Sequence, residues 1–262
     1  MNYLLSDRVM VQRVIRAPSV ALFLDFDGTI VPLAPAPDAI RVPETLPHIL
    51  KTLAARPGYT VGIISGRTVA DLSHYVQVPE SVVVAGNHGL EWVIRGTYET
   101  AAVPAAYPEA LQALYTACVQ YIEKYPGAHV DWKGLSISIQ LRSVSPVSVP
   151  RARTGILERI AHTENARLFA VIPGGTDIDV RPNISWTKAS VISRVLSEEG
   201  IRTEDTVCIY IGDDTTDEDV FRAFPSALTI HVGRSYTSLA RYYLRDVSDV
   251  YAFLTLLAKP LP

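Results

Sequence analysis

Val20-Ala21-Leu22-Phe23-Leu24, followed at once by Asp25-Phe26-Asp27-Gly28-Thr29, sets five apolar residues directly before two carboxylates. An apolar run without polar alternation marks a strand buried on both faces, the kind found inside a parallel sheet covered by helices. Ending such a strand in charge is costly unless the charge is used. Residues two apart in a strand project to the same side, so Asp25 and Asp27 are expected to point together. Like charges that close resist joint ionisation unless a cation or a proton intervenes. Val207-Cys208-Ile209-Tyr210-Ile211 followed by Gly212-Asp213-Asp214-Thr215-Thr216-Asp217-Glu218 repeats the design. Two strands ending in carboxylates predict one metal site.

Outward from the first run, residues 20–85 read strand, helix, strand, helix, strand: 20–24, 44–55, 60–64, 69–76 and 82–85. Alternation of buried strands with helices predicts a parallel α/β sheet. The rhythm resumes with a helix over 186–196, a strand over 207–211, a helix over 218–224, a strand over 227–232 and a helical end through Leu257. Between them the pattern changes. A long helix is predicted over 109–125 and another over 149–162, with strands over 167–172 and 176–180. In Leu135-Ser136-Ile137-Ser138-Ile139-Gln140-Leu141 the period is two, which predicts a half-exposed antiparallel strand. The fold class expected is α/β, a parallel-sheet core formed by residues 1–100 and 183–262, with an inserted α+β cap domain over 101–182.

Composition bounds the partners. Of the 262 residues 48% are hydrophobic, enough for a sizeable core and against disorder. Twenty-four basic against 27 acidic side chains give a net charge of -3 without a run of like charge, which argues against nucleic acid or an anionic membrane as partner. No segment reaches the roughly 20 apolar residues that span a bilayer. Asp7, Arg8, Arg13 and Arg16 interrupt the N-terminal segment too often for a signal peptide. A cytoplasmic monomer acting on a small molecule is the expectation. Cys118 and Cys208 lack ligand spacing and read as ordinary buried thiols.

In open parallel sheets ligands collect beyond the carboxyl ends of the strands, where Asp25, Asp27, Ser65, Asp213 and Asp214 all fall. A carboxylate cluster without His or Cys favours Mg2+. Asp25 is expected to attack phosphorus and form an aspartyl-phosphate. Asp27 is expected to protonate the departing oxygen and then deprotonate water. Ser65 can donate to the phosphoryl group, and Lys188 supplies positive charge. Singly, Ser65 also reads as a helix cap, Lys188 as a solvated side chain, and Asp214 and Asp217 as groups that orient the metal ligands.

Together Asp25-Phe26-Asp27-Gly28-Thr29, Ser65-Gly66-Arg67, Lys188 and Gly212-Asp213-Asp214-Thr215-Thr216-Asp217 resemble the four motifs of the haloacid dehalogenase superfamily, in its phosphatase branch. The resemblance implies a Rossmann-like core, Asp25 as nucleophile, Asp27 as acid and base, and Asp25, Asp27 and Asp213 as Mg2+ ligands. Gly86-Asn87-His88-Gly89-Leu90-Glu91, the segment 213–221 and Asp179-Val180-Arg181-Pro182 are similar to trehalose-6-phosphate phosphatases over nearly all of 20–221. That likeness implies hydrolysis of trehalose 6-phosphate. It also implies substrate contacts from Gly66, Arg67, Asn87, His88, Asp131, Lys133 and Asp179. Asp131 and Asp179 are one methylene shorter than the family's Glu, and Gln140 stands where His is common. His88 reads equally as loop packing, and Asp131 and Lys133, on an antiparallel segment, as charges used in a cross-strand salt bridge. Trp132 and Trp186 suit core packing or sugar stacking. A phosphatase for another sugar phosphate, such as glucosyl- or mannosyl-glycerate phosphate, and a non-catalytic sugar-phosphate sensor stay open as alternatives.

Overall fold

The computed structural model describes residues 1–33, 40–173 and 176–259. The chain begins with β1 (Asn2–Tyr3), α1 (Arg8–Ile15), β2 (Val20–Leu24), α2 (Thr45–Ala54), β3 (Tyr59–Ile64), α3 (Val69–Tyr75), β4 (Val82–Gly86), β5 (Glu91–Ile94) and β6 (Thr97–Thr100). It continues through α4 (Tyr107–Ile122), β7 (His129–Trp132), β8 (Ile137–Gln140), α5 (Val149–His162), β9 (Phe169–Pro173) and β10 (Ile178–Pro182). It closes with α6 (Lys188–Glu198), β11 (Val207–Gly212), α7 (Glu218–Ala223), β12 (Leu228–Val232), β13 (Tyr242–Leu244) and α8 (Val247–Ala258). Two compact units result: Met1–Ala101 with Trp186–Pro262, and Ala102–Ser185.

In the first unit the described strands order as β1-β13-β12-β11-β2-β3-β4-β5-β6. Pairing is parallel from β1 through β4 and antiparallel for the last two strands. All five residues of β2 are buried, as an apolar run at the centre of a covered sheet requires. Leu46, Ile49, Leu50 and Leu53 recur at helical spacing in α2 and pack with Phe253, Leu254 and Leu257 of α8 into the same core as Leu22 and Leu24. The expected α/β class is found. The structure adds α1, β1, β13 and the β5–β6 hairpin, which the sequence reading does not contain. The added strands are too short or too mixed in polarity to carry a periodic signal, β1 having two residues and β13 three, whereas α1 does set Val11 and Val14 on one buried face behind the Asp7 cap.

The second unit is an antiparallel sheet of order β7-β8-β10-β9, with α4 and α5 on one face. Ile137, Ile139, Ile178 and Val180 face the helices and pack with Leu111, Leu114, Cys118 and Ile156. The alternate residues form the other face. Ser138 pairs with Asp131 on one side and Asp179 on the other, making a registered polar row across three strands. The expected half exposure of the β8 segment is not found: Ser136 and Ser138 are buried, Ser138 because a strand lies on either side of it. Burial pushes the Cys118 thiol up to about 11, so it is inert packing. Among the described residues no helix is long and apolar enough to cross a membrane.

Asp249 in α8 fixes the far edge of the first unit. Arg245 donates to both its oxygens, at 2.7 and 2.8 Å, and the Arg245 backbone N–H adds a third bond at 3.0 Å. Arg245's hydrogen bonds hold the buried carboxyl down at about 2. A depressed folded-state pKa gives stability that is present above the unfolded value of about 4 and is lost as pH falls towards 2. Asp249→Asn is expected to cost about 2 kcal/mol at neutral pH. Urea titrations at pH 7, 4 and 2.5 should show the gap to the parent protein closing across that window, and a gap that stays constant with pH would rule the account out.

Candidate active site

Four adjacent parallel strands, β11, β2, β3 and β4, deliver Asp213, Asp25, Ser65 and Asn87 just past their carboxyl ends. Asp25 is buried, and its N–H donates to Ile211 O at 2.9 Å, tying it to the neighbouring strand. Lys188 opens α6, where Thr187 and Ser190 form a reciprocal capping box that fixes the first turn. Its ammonium is buried and donates to Asp25 Oδ1 and to Asp217 Oδ1, each at 2.7 Å. Burial acts to lower the Lys188 pKa, but the charges and hydrogen bonds of Asp217 and Asp25 outweigh it and leave it raised. Lys188 therefore stays charged.

Asp217 is fully buried and accepts four hydrogen bonds. Lys188 and the Tyr210 hydroxyl, at 2.6 Å, reach Oδ1; the backbone N–H groups of Asp213 and Asp214, at 2.9 and 3.0 Å, reach Oδ2. Four donors fill a carboxylate's capacity. Asp217 thus holds the 213–217 turn and the ammonium in place. The Asp214 side chain is exposed and accepts from the Thr215 N–H at 2.6 Å, which caps the same turn. Thr29 donates to Asp213 Oδ1 at 3.3 Å. Gly28, at φ 81°, has no Cβ because one would lie 2.0 Å from Asp213 Oδ2. The glycine of the Asp-Phe-Asp-Gly stretch exists to admit the opposing carboxylate.

Oxygens of Asp25, Asp213 and Asp217 all lie within 4.8 Å of one another. Burial, with the charges of Asp217 and Asp214, pushes the Asp213 carboxyl up to about 6. Burial above all, with Asp217 and Asp213 adding and Lys188 opposing, raises Asp25 well above the carboxylate range. Three carboxylates around one ammonium leave an excess of negative charge. With Asp217 already filled by its four donors, Asp25 and Asp213 are the carboxylates left to meet a hard divalent cation, which suits oxygen ligands and would offset that excess.

The two carboxylates of the opening stretch part company. β2 ends at Leu24, so strand alternation does not extend to Asp25 and Asp27. Asp27 lies outside the carboxylate cluster and is clamped by Arg67, whose Nε and Nη2 donate to its two oxygens at 2.6 and 2.8 Å. The guanidinium sits over Phe26 and Tyr75, at 5.8 and 5.2 Å from the ring centres.

Ser65 is buried, and its Oγ accepts from the Arg67 N–H at 3.1 Å, so it does cap the turn. That turn is locked to the next. The N–H groups of Asn87 and His88 donate to Arg67 O and Ser65 O at 2.7 and 2.8 Å. The His88 ring lies against Gly66, where a Cβ would meet it at 2.6 Å. Asn87 and His88 both take positive φ, 50° and 57°. Glu91 holds this strained turn: it is buried and accepts from Asn87 Nδ2 at 3.0 Å, Val69 N–H at 2.8 Å and the Tyr98 hydroxyl at 2.7 Å. Burial and the Glu91 charge push the Tyr98 phenol up to about 12.

Sequence reasoning gave no role to Glu91, Tyr210 or Thr29. A polar aromatic inside an apolar strand is the signal that marks Tyr210. Trp186 stacks on buried Trp92 at 5.3 Å and donates to Gly89 O at 2.6 Å, so it packs within the first unit. In the second unit Asp131 and Asp179 flank Ser138, and the Lys133 N–H donates to Ser136 O at 2.9 Å just past β7. Trp132 is 39% exposed and meets Tyr115 edge-on. Gln140 pairs with His129 across the strands.

The sequence matches the trehalose-phosphatase family model over residues 23–248. The chain belongs to the trehalose-phosphatase family. The match contains every carboxylate of the cluster and the whole second unit, and it confirms the resemblance read from the motifs. The trehalose-phosphate phosphatase of Mycobacterium tuberculosis (strain H37Rv) is 31% identical over 204 residues, covering 77% of this chain and 50% of that protein. An uncharacterized glycosyl hydrolase of the same strain is 30% identical over 81% of this chain and 16% of its own length. The chain thus spans about half, or less, of the curated relatives it matches. In fold it is similar to the trehalose-6-phosphate phosphatase C-terminal domain of C. albicans, with a TM-score of 0.80 at 22% identity over 95% of each chain. The C-terminal domain of the Candida albicans trehalose synthase regulatory protein shares the fold at a TM-score of 0.75 and 12% identity, over 96% of this chain and 97% of that one.

Proposed function

We propose that this chain is a Mg2+-dependent phosphatase that hydrolyses trehalose 6-phosphate to trehalose and phosphate through an aspartyl-phosphate on Asp25. The carrying observation is the buried ammonium of Lys188, 2.7 Å from both Asp25 and Asp217, beside Asp213. Membership of the trehalose-phosphatase family supports the substrate.

An Asp25 oxygen attacks phosphorus, and the bond from phosphorus to the sugar oxygen breaks. Lys188 engages Oδ1 and orients the carboxylate; no described residue donates to Oδ2, which is the attacking atom. Once released from Arg67, Asp27 takes up a proton from solvent, gives it to the departing oxygen, and regains one from the water that cleaves the acyl phosphate. The Arg67–Asp27 pair opens first, and the substrate's phosphate is the competing anion for Arg67's planar fork. The Ser65 hydroxyl donates to a phosphoryl oxygen. Asp25 and Asp213 would hold the cation, which when bound screens the approach of two anions and stabilises charge on the transferring oxygens. The polar row Asp131, Ser138 and Asp179 of the second unit is assigned to the sugar hydroxyls, with Lys133 and His88 as further substrate contacts.

The shorter acids Asp131 and Asp179 keep a related sugar phosphate as the second reading. Phosphate release from a panel of sugar phosphates, with and without chelator, decides between them. Release from trehalose 6-phosphate in Mg2+, at least tenfold above glucosyl- or mannosyl-glycerate phosphate and lost in chelator, is the expected result. Preference for another member overturns the substrate, activity in chelator overturns the metal, and silence across the panel in excess Mg2+ favours a sensor.

A further inference from the structure

A cavity of about 410 Å3 opens at the amino ends of β11 and β12, the edge of the sheet opposite the carboxylate cluster. That volume falls in the range of small-molecule sites. Its apolar wall is Met10 from α1, Phe224 after α7 and Leu228 at the start of β12. Two guanidinium-bearing residues, Arg13 from α1 and Arg241 before β13, border the same space. Neither side chain makes an ion pair or a hydrogen bond with any described residue. The acids that also border the cavity do not answer them, because Glu204 and Asp205 both pair with Arg202. Arg13 and Arg241 are exposed and no described acid neutralises them, so two available positive charges border a cavity that also has an apolar wall, a lining suited to an anion that carries an apolar body. Thr203, Thr206 and Ser226 add hydroxyls to its wall.

We propose that this cavity binds a small organic anion, its phosphate or carboxylate held between Arg13 and Arg241 and its apolar part against Met10, Phe224 and Leu228. Guanidinium forks match either headgroup in a bidentate fashion, and the apolar floor distinguishes an organic anion from inorganic phosphate. The occupant rests against both feet of one segment: β11 leaves the cavity at Val207, carries the chain to Asp213 and Asp217, and α7 returns it at Phe224. The site is independent of the phosphatase reading.

Isothermal titration of the full chain in chelator, with phenylphosphonate, benzoate, inorganic phosphate and uncharged benzamide as probes, tests it. Saturable binding of phenylphosphonate or benzoate is expected, tighter than inorganic phosphate, with none for benzamide. The two charged probes tell a phosphate-type from a carboxylate-type headgroup. In the Arg13→Gln/Arg241→Gln double variant the affinity should fall at least tenfold, with each single variant giving part of the loss. Thermal melts show that the variants are folded. No saturable binding by either charged probe, equal binding of benzamide, or a loss below tenfold in the folded double variant overturns the proposal.

Discussion

Asp25→Asn should reduce phosphate release by at least about 10³-fold while leaving the protein as stable as before. The side chain keeps its shape but loses the oxygen that attacks phosphorus, and no other described carboxylate of the cluster can take over. Asp217 is saturated by four donors. Asp213 is pressed against Gly28 and held by Thr29. Stability should not suffer, because burial and the neighbouring charges already disfavour the ionised Asp25, and a neutral amide relieves that repulsion. The matched measurement is single-turnover phosphate release beside a thermal melt. Retention of most activity by a well-folded variant would falsify the covalent mechanism.

Lys188→Met carries the second large effect, and here both activity and stability should fall. Removing the ammonium leaves Asp25 and Asp217 facing each other in a buried site without their shared cation. Breaking a buried ion pair from one side costs about 3–5 kcal/mol, roughly 6–20 °C in melting temperature for a domain of this size. Turnover should drop at least about 100-fold, since the nucleophile loses its orienting partner. Adding Asp217→Asn to Lys188→Met separates the two effects: stability should recover in part, because one uncompensated charge is gone, while activity stays low. If the single variant melts with the parent protein, the buried triad is not the keystone described.

The α/β core was legible because its strands are unbroken apolar runs, which only a sheet covered on both faces can bury. Asp25, Ser65, Lys188 and Asp213 were legible for a related reason: each stands at the end of such a run or at the start of a helix. The pairing of charges was not. Strand periodicity put Asp25 and Asp27 together, but the strand stops at Leu24 and each acid has its own cation, Lys188 for one and Arg67 for the other. Glu91 and Tyr210 escaped because their work is done by hydrogen bonds across the fold, to Asn87 and Asp217, which no local spacing encodes. The β5–β6 hairpin and β13 escaped because short, mixed strands gain their order from neighbours rather than from their own pattern.

β2, which carries the nucleophile, lies between β3 and β11, and those flanks come from opposite ends of the chain. During synthesis the strand can pair on its β3 side early, yet its other edge waits until residues 207–212 have been made. Through that interval a fully apolar strand keeps an open edge, the exposure that invites pairing with the wrong chain. Lys188 also arrives late, so Asp25 spends the same interval without the charge that orients it. The vulnerable moment for this protein is therefore on the ribosome, and slowing translation between β4 and β11 should raise aggregation more than slowing it after α7.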